Sequence, residues 1–388
     1  MTSGVPSRNR KAAYSKASLL LCSLFLSLLL GEGLLQLFPP CQTRHLLMVR
    51  NDNLEYYVGH PDIGYLLKPS IRGVLWGCDF RAAFHTDARG FRNRSAWPDK
   101  AEFVAIGDSL TFGFGVEDEE AWPSIFARAL PQSSLLNLGL MGACPEQYLR
   151  LYKTFGAKMH PRVLLVGLFL GNDFHEAPGF DRGVKSNAGG NYLLSQVPPL
   201  RFREHPLQGI KGLLSRYSYL YNLVREIMNT YHGRHSSDRR LFSLRNGHRL
   251  VLFPTRLAGA VTMGQPGHEE FQQVFRPIDR MSSIARENGT HMLVIFQPSK
   301  EEIYLPLLGE PPSDPGGPLR LALQKEGIDC LDLTPAYKCR AMAGEQLFFE
   351  ADGHPNRTGY RVIAEEVLAY LSKQNHNFEP AAEDESQL

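Results

Sequence analysis

The sequence predicts an α/β fold: a three-layer α/β/α arrangement around a doubly wound parallel sheet, preceded by an N-terminal transmembrane helix. Three observations predict it. Short, continuously apolar runs recur at Phe103–Ile106, Arg162–Leu170 and His291–Phe296, and a strand covered on both faces reads this way rather than as an alternation. Segments with helical spacing separate these runs, so strand and helix alternate along the chain. Residues 19–38 are apolar over about the ~20 residues that a membrane-spanning helix needs.

The bulk composition is that of a globular protein with ample length for a large core. Of 388 residues, 43% are hydrophobic and 21% charged. With 42 basic and 40 acidic residues the net charge is only +2. No Lys/Arg stripe lies outside the N-terminus, which argues against a nucleic-acid partner. The six cysteines, Cys22, Cys41, Cys78, Cys144, Cys330 and Cys339, match no metal spacing. Cys330 and Cys339 are close enough to pair in an oxidising compartment, or to stay as free thiols. Neither a metal nor a cofactor is expected.

Arg8, Arg10, Lys11 and Lys16 precede the apolar segment. They keep residues 1–18 in the cytoplasm and place the remainder outside it, in the periplasm or at the cell exterior. Two readings compete for residues 19–38. One is an uncleaved signal anchor. The other is a cleaved signal peptide with Gly31-Glu32-Gly33 as the small-residue site. Apolar residues continue from Leu34 to Phe38 and favour the anchor. Glu32 is an awkward residue for a span, near its outer end.

Residues 45–100 read as a strand-and-loop preface, because Pro61, Gly64, Pro69, Gly73, Gly77 and Gly90 punctuate short aromatic and β-branched runs. The main domain is expected over 101–375. Its first strand, Phe103–Ile106, meets a turn at Gly107, then Asp108 and Ser109. Trp122, Ile125, Phe126 and Leu130 follow at helical spacing. A second strand lies near Leu135–Leu138 and a helix from Pro145 to about Lys158. The strand at Arg162–Leu170 ends in Gly171-Asn172-Asp173. Residues 174–275 interrupt the pattern as an insertion, with a helix from about Leu207 to Tyr231 that either packs on the sheet or serves as a lid. The pattern resumes with a helix over Glu269–Asn288, a strand over His291–Phe296, a strand near Cys330–Leu333 and a helix over Arg357–Lys373. Residues 376–388 form a polar, acidic tail expected to be disordered.

Ligands of open α/β sheets bind at the carboxyl ends of the strands, so the strand-end loops converge on one edge. Their residues are those that acyl transfer needs. Ser109 offers a nucleophile, although a serine there also suits a simple helix cap. Serine requires a base. His354 supplies one, and Asp352 can hold its ring in the right tautomer. Donors for a developing oxyanion are the backbone N–H groups of Ser109 and Gly142 and the side-chain amide of Asn172. Gly139 is the other glycine of that loop. Asp108 and Asp173 read as turn-stabilising residues and Asn356 as the cap of the last helix; Lys300 could contact substrate, but reads more simply as a solvated loop lysine.

These motifs resemble the SGNH hydrolases of the GDSL esterase/lipase group. Gly107-Asp108-Ser109-Leu110 matches the first block, and Asn137 with Gly142 the second. Leu170-Gly171-Asn172-Asp173 matches the third, and Asp352, His354 and Asn356 the last. The resemblance spans 103 to about 372 and implies a flavodoxin-like sheet and a Ser-His-Asp esterase. The group usually spaces acid and base as Asp-x-x-His. Here Ala351 stands three before His354, and Asp352 two before. Asp-x-His occurs in related SGNH-like proteins of polysaccharide O-acetylation, and Pro298-Ser299-Lys300 with Tyr304 is also similar to that exported branch.

The expected function is therefore an exported, membrane-anchored serine esterase acting on an acylated small molecule or glycan, most simply by removing acetyl. The rivals are an O-acetyltransferase of an extracytoplasmic polysaccharide, fed by a membrane acyltransferase partner, and a non-catalytic glycan-binding module.

Overall fold

The computed structural model describes residues 7–38, 56–77, 79–94, 97–174, 180, 214, 218–231, 240–245, 247 and 249–374. Cys41, Cys78, most of the 174–217 stretch and the tail expected at 376–388 lie outside the described residues.

Helix α1 (Ser7–Leu37) contains the apolar segment; Ser18–Leu37 is long and apolar enough to cross a membrane, and none of it is buried against the protein. Two antiparallel pairs follow. Strand β1 (Tyr57–His60) pairs with β2 (Gly64–Leu67), and β3 (Arg72–Trp76) with β4 (Arg81–His85). The wound unit begins with β5 (Phe103–Ile106), α2 (Ser109–Phe112), α3 (Trp122–Ala129), β6 (Leu135–Asn137), α4 (Pro145–Leu151) and β7 (Val163–Leu168). Helix α5 (Tyr219–Tyr231), the antiparallel pair β8 (Arg240–Ser243) and β9 (Arg249–Leu252), and α6 (Pro254–Met263) come next. The unit then resumes with α7 (Glu269–Glu287), β10 (His291–Phe296), α8 (Lys300–Tyr304), α9 (Gly317–Lys325), β11 (Asp329–Asp332), α10 (Thr334–Met342) and α11 (Arg357–Lys373).

Five strands form one parallel sheet in the order β11-β10-β7-β5-β6. The apolar runs are explained by burial of both faces. Val104, Ile106, Leu164, Val166 and Val294 face a cluster with Tyr148 of α4, Ile278 of α7 and Leu319 of α9. Phe103, Ala105, Leu165, Leu293 and Ile295 face the opposite cluster, with Phe126 of α3, Tyr337 of α10 and Ile363 of α11. Each large side chain fully buried in these layers contributes about 1.5–3 kcal/mol. The winding direction reverses between β5 and β7, and such a switch point is where open α/β sheets form a crevice.

The helix expected around Trp122 is present as α3, and a separate four-residue helix begins at Ser109, ended by Gly113 at φ +90°. The 174–275 insertion also holds β8, β9 and α6, none of them expected from the sequence. Glu32 is accounted for by a contact invisible in sequence. Its carboxylate accepts from Ser218 Oγ (2.7 Å) and from the N–H groups of Tyr219 (2.8 Å) and Leu220 (3.0 Å). It thereby satisfies N–H groups at the start of α5 that have no intrahelical partner.

Candidate active site

Ser109 follows β5 and begins α2. Asp108 caps that helix, its Oδ1 accepting from Leu110 N–H at 2.9 Å. The opposite wall is the 349–354 segment before α11, which Asn356 caps by accepting from Thr358 and Gly359 N–H. Ser109 Oγ lies 2.8 Å from His354 Nε2. His354 Nδ1 lies 2.6 Å from Asp352 Oδ1. A carboxylate only accepts, so Nδ1 carries the proton and Nε2 is left to accept from Ser109 Oγ–H. The His354 ring also rests on Phe114, with centroids 4.4 Å apart. One intervening residue thus suffices for the acid–base contact. Gly353 does not adopt a left-handed φ there, and a Cβ on it would meet nothing.

The donors expected for an oxyanion come to the same place. Ser109, Gly142, Asn172, Asp352 and His354 all line one cavity of about 650 Å³. Ser109 N–H belongs to a first helical turn, which leaves it without an intrahelical acceptor. Gly142 sits at φ +71°, where a side chain would be strained. Gly139 instead permits close packing of two loops, since a Cβ there would stand 2.4 Å from Phe112 N. Asn172 Nδ2 donates to Asp108 Oδ2 at 3.2 Å, which orients the amide. Asn172 Oδ1 is buried without a partner. Burial pushes the Asp108 carboxyl above its ordinary range, opposed by Leu110 N–H and the nearby His354. Asp173 closes its turn by accepting from Phe169 N–H (2.8 Å) and Tyr148 OH (2.8 Å).

Sequence reasoning missed three groups. Arg92, 5% exposed, donates to Phe112, Gly113 and Val116 carbonyls and to Asp118 (2.6 Å), bracing the loop that follows Ser109. Lys300 is not solvated: it is 1% exposed. The third is a charged end of the cavity, formed by Glu302, Asp314, Arg320 and Asp332. Charged residues predict exposure when only the sequence is in hand; the sole hint was Asp332 at the carboxyl end of β11, where sites form. Cys330 and Cys339 remain thiols and do not pair with each other.

Burial and the nearby Asp332 push Glu302 up to about 7 from 4.5. Between those pH values the folded chain keeps a proton that the unfolded chain releases, so stability falls as pH rises through that window. Glu302→Gln should therefore raise unfolding free energy at pH 8, by about 3 kcal/mol at most, and change it little at pH 4. Urea unfolding at both values checks this; equal changes at both would remove Glu302 as the cause.

The wound parallel sheet places the serine at a strand end, facing the histidine and acid of the segment that precedes α11. The family model described as SGNH hydrolase-like domain, acetyltransferase AlgX, matches residues 260–387. No curated protein matches the chain. Among solved structures, a member of the lipolytic G-D-S-L family from Veillonella parvula is 12% identical, covering 70% of this chain and 98% of its own, with a TM-score of 0.35. TesA is 14% identical, covering 70% and 98%, with a TM-score of 0.36. A catalytic mutant of Axe2, an acetylxylan esterase from Geobacillus stearothermophilus, is 8% identical, covering 74% and 99%, with a TM-score of 0.37.

Proposed function

We propose that this chain is a serine esterase that works through a covalent acyl-Ser109 intermediate and removes small acyl groups, acetyl foremost, from an extracytoplasmic glycan or small ester. The observation that carries it is the continuous Ser109–His354–Asp352 hydrogen-bond chain on the wall of a cavity that also presents Gly142 and Asn172. Ser109 Oγ attacks the ester carbonyl carbon as His354 Nε2 takes its proton. The carbonyl π electrons move to oxygen, and the N–H groups of Ser109, Gly142 and Asn172 hold the oxyanion. The C–O bond to the leaving alcohol then breaks, and His354 returns the proton to that oxygen. Water, deprotonated by His354, repeats the sequence and frees the acid.

A second reading, O-acetyl transfer to an extracytoplasmic polysaccharide, is favoured by the match to the AlgX domain over 260–387. It shares the acyl-serine and replaces water by a sugar hydroxyl, with the acetyl supplied by a membrane acyltransferase partner. In both readings α1 anchors the chain, with residues 40–388 outside the cytoplasm; a reporter fused after Leu388 should be active outside the cytoplasm, and activity only in the cytoplasm would overturn this.

The deciding experiment gives the full chain p-nitrophenyl esters of increasing acyl length, with and without an oligosaccharide acceptor. Steady release of free acetate without acceptor supports the esterase. One stoichiometric burst, with turnover only on adding acceptor, supports the transferase. Absence of any acyl mass on the peptide carrying Ser109 would sink both.

A further inference from the structure

We propose that Lys300 is a positioning residue for the acid–base segment: its ammonium holds the backbone that presents Asp352 and His354 to Ser109. The inference rests on the acyl-serine reading. Lys300 Nζ donates to the carbonyls of Asp352 (2.7 Å), Phe349 (3.1 Å) and Glu350 (3.1 Å). An ammonium has three donors and no acceptor, so three converging carbonyls saturate it. Among the described residues no carboxylate makes a hydrogen bond to it, although a buried charge ordinarily takes one as partner. The peptide N–H groups of the same segment are held separately: Asp79 Oδ2 accepts from Ala351 N–H (2.7 Å) and Asp352 N–H (3.0 Å). The segment is thus gripped through its carbonyls and through its N–H groups by two different side chains.

Lys300 is itself fixed. It opens α8 directly after β10, and Ser299 caps that helix by accepting from Glu302 N–H at 3.1 Å. The sheet therefore transmits its rigidity to a segment whose conformation follows from no regular element. Misplacement by about 1 Å costs on the order of 10²-fold in rate, which is the scale on which such a contact matters. Burial lowers Lys300 to about 8; Glu301, Asp352 and Asp79 oppose this, and Arg256 reinforces it. Above that pH the ammonium loses one donor and its charge, and the grip on the carbonyls weakens.

Lys300→Met tests this in the full chain. The expected result is a kcat lower by about 10–10²-fold with KM within about twofold, and fluorophosphonate labelling of Ser109 slowed by the same factor. The thermal midpoint should fall by a few degrees, since the Phe349 and Asp352 carbonyls lose their donor, so the deciding readout is kcat per folded molecule. Wild-type labelling should decline from pH 7.5 to 9, and that decline should be absent in Lys300→Met. A merely structural lysine would shift the midpoint and leave kcat per folded molecule unchanged, which overturns the proposal. Should Lys300→Met not fold, Lys300→Gln is read by the same measures, and a wild-type labelling rate that stays level across that pH range is then the overturning result. Wild-type protein that does not label removes the acyl-serine reading, and this inference with it. Wild type that labels, beside a Lys300→Met that labels equally fast, removes this inference alone.

Discussion

Ser109→Ala should abolish turnover while leaving the fold intact. The expected loss is at least about 10⁴-fold in kcat, because without a nucleophile only binding and oxyanion stabilisation remain. The structure explains why the fold should survive. Ser109 Oγ makes its hydrogen bond to His354, which is partly exposed and can turn to water. The helix cap is untouched, because it belongs to Asp108 and not to Ser109. Ser109 is only 7% exposed, so the expected cost is that of the one hydrogen bond lost, about 0.5–1.5 kcal/mol, which a chain of this size survives folded. The measurement is kcat on p-nitrophenyl acetate beside a thermal melt. Turnover close to wild type in a folded Ser109→Ala would remove Ser109 from the chemistry.

The sheet was readable because its central strands are buried on both faces. Val104 and Phe103, or Leu164 and Leu165, face opposite layers and must both be apolar, so burial writes itself into composition. The site residues were readable for a different reason: each follows such a strand or precedes the last helix, where the topology leaves little choice of location. Strands β8 and β9 were not readable. They are four residues each; β8 keeps three of its four side chains exposed, so no run or alternation marks it, and β9, which does alternate, is too short to stand out inside an insertion. Helix α6 carried a usable signal, Pro254 at its first position ahead of Leu257 and Ala260, within a stretch that read as an insertion. Lys300 and Arg92 were out of reach because their partners are backbone carbonyls far along the chain. A carbonyl is present at every residue, so no residue type announces where a cation will find three of them.

At the acid, Asp352→Asn should be the milder substitution and Asp352→Ala the severe one. A single oxygen, Asp352 Oδ1, accepts both the His354 backbone N–H at 2.8 Å and the ring Nδ1–H at 2.6 Å. A backbone N–H can only donate. An asparagine that turned its NH2 toward this position would set donors against that backbone N–H. Its carbonyl oxygen therefore takes the place of Oδ1, Nδ1 keeps its proton, and Nε2 still accepts from Ser109. Where an amide instead forces the wrong tautomer, the loss in kcat is about 10⁴-fold. With the tautomer kept, what disappears is the charge that stabilises the imidazolium, a difference of about 1–3 kcal/mol and so about 10–10²-fold. Asp352→Ala loses the orienting acceptor as well and should fall about 10³–10⁴-fold. His354→Ala should be at least as damaging, and Asp352→Ala combined with His354→Ala no worse than the worse single change, because residues acting as one unit are not additive. KM should move little in every case. The ordering is the test: kcat for Asp352→Asn as low as for Asp352→Ala would show that the backbone N–H does not fix the amide, and a loss of only a few-fold in Asp352→Ala would show that Ser109 and His354 work as a dyad.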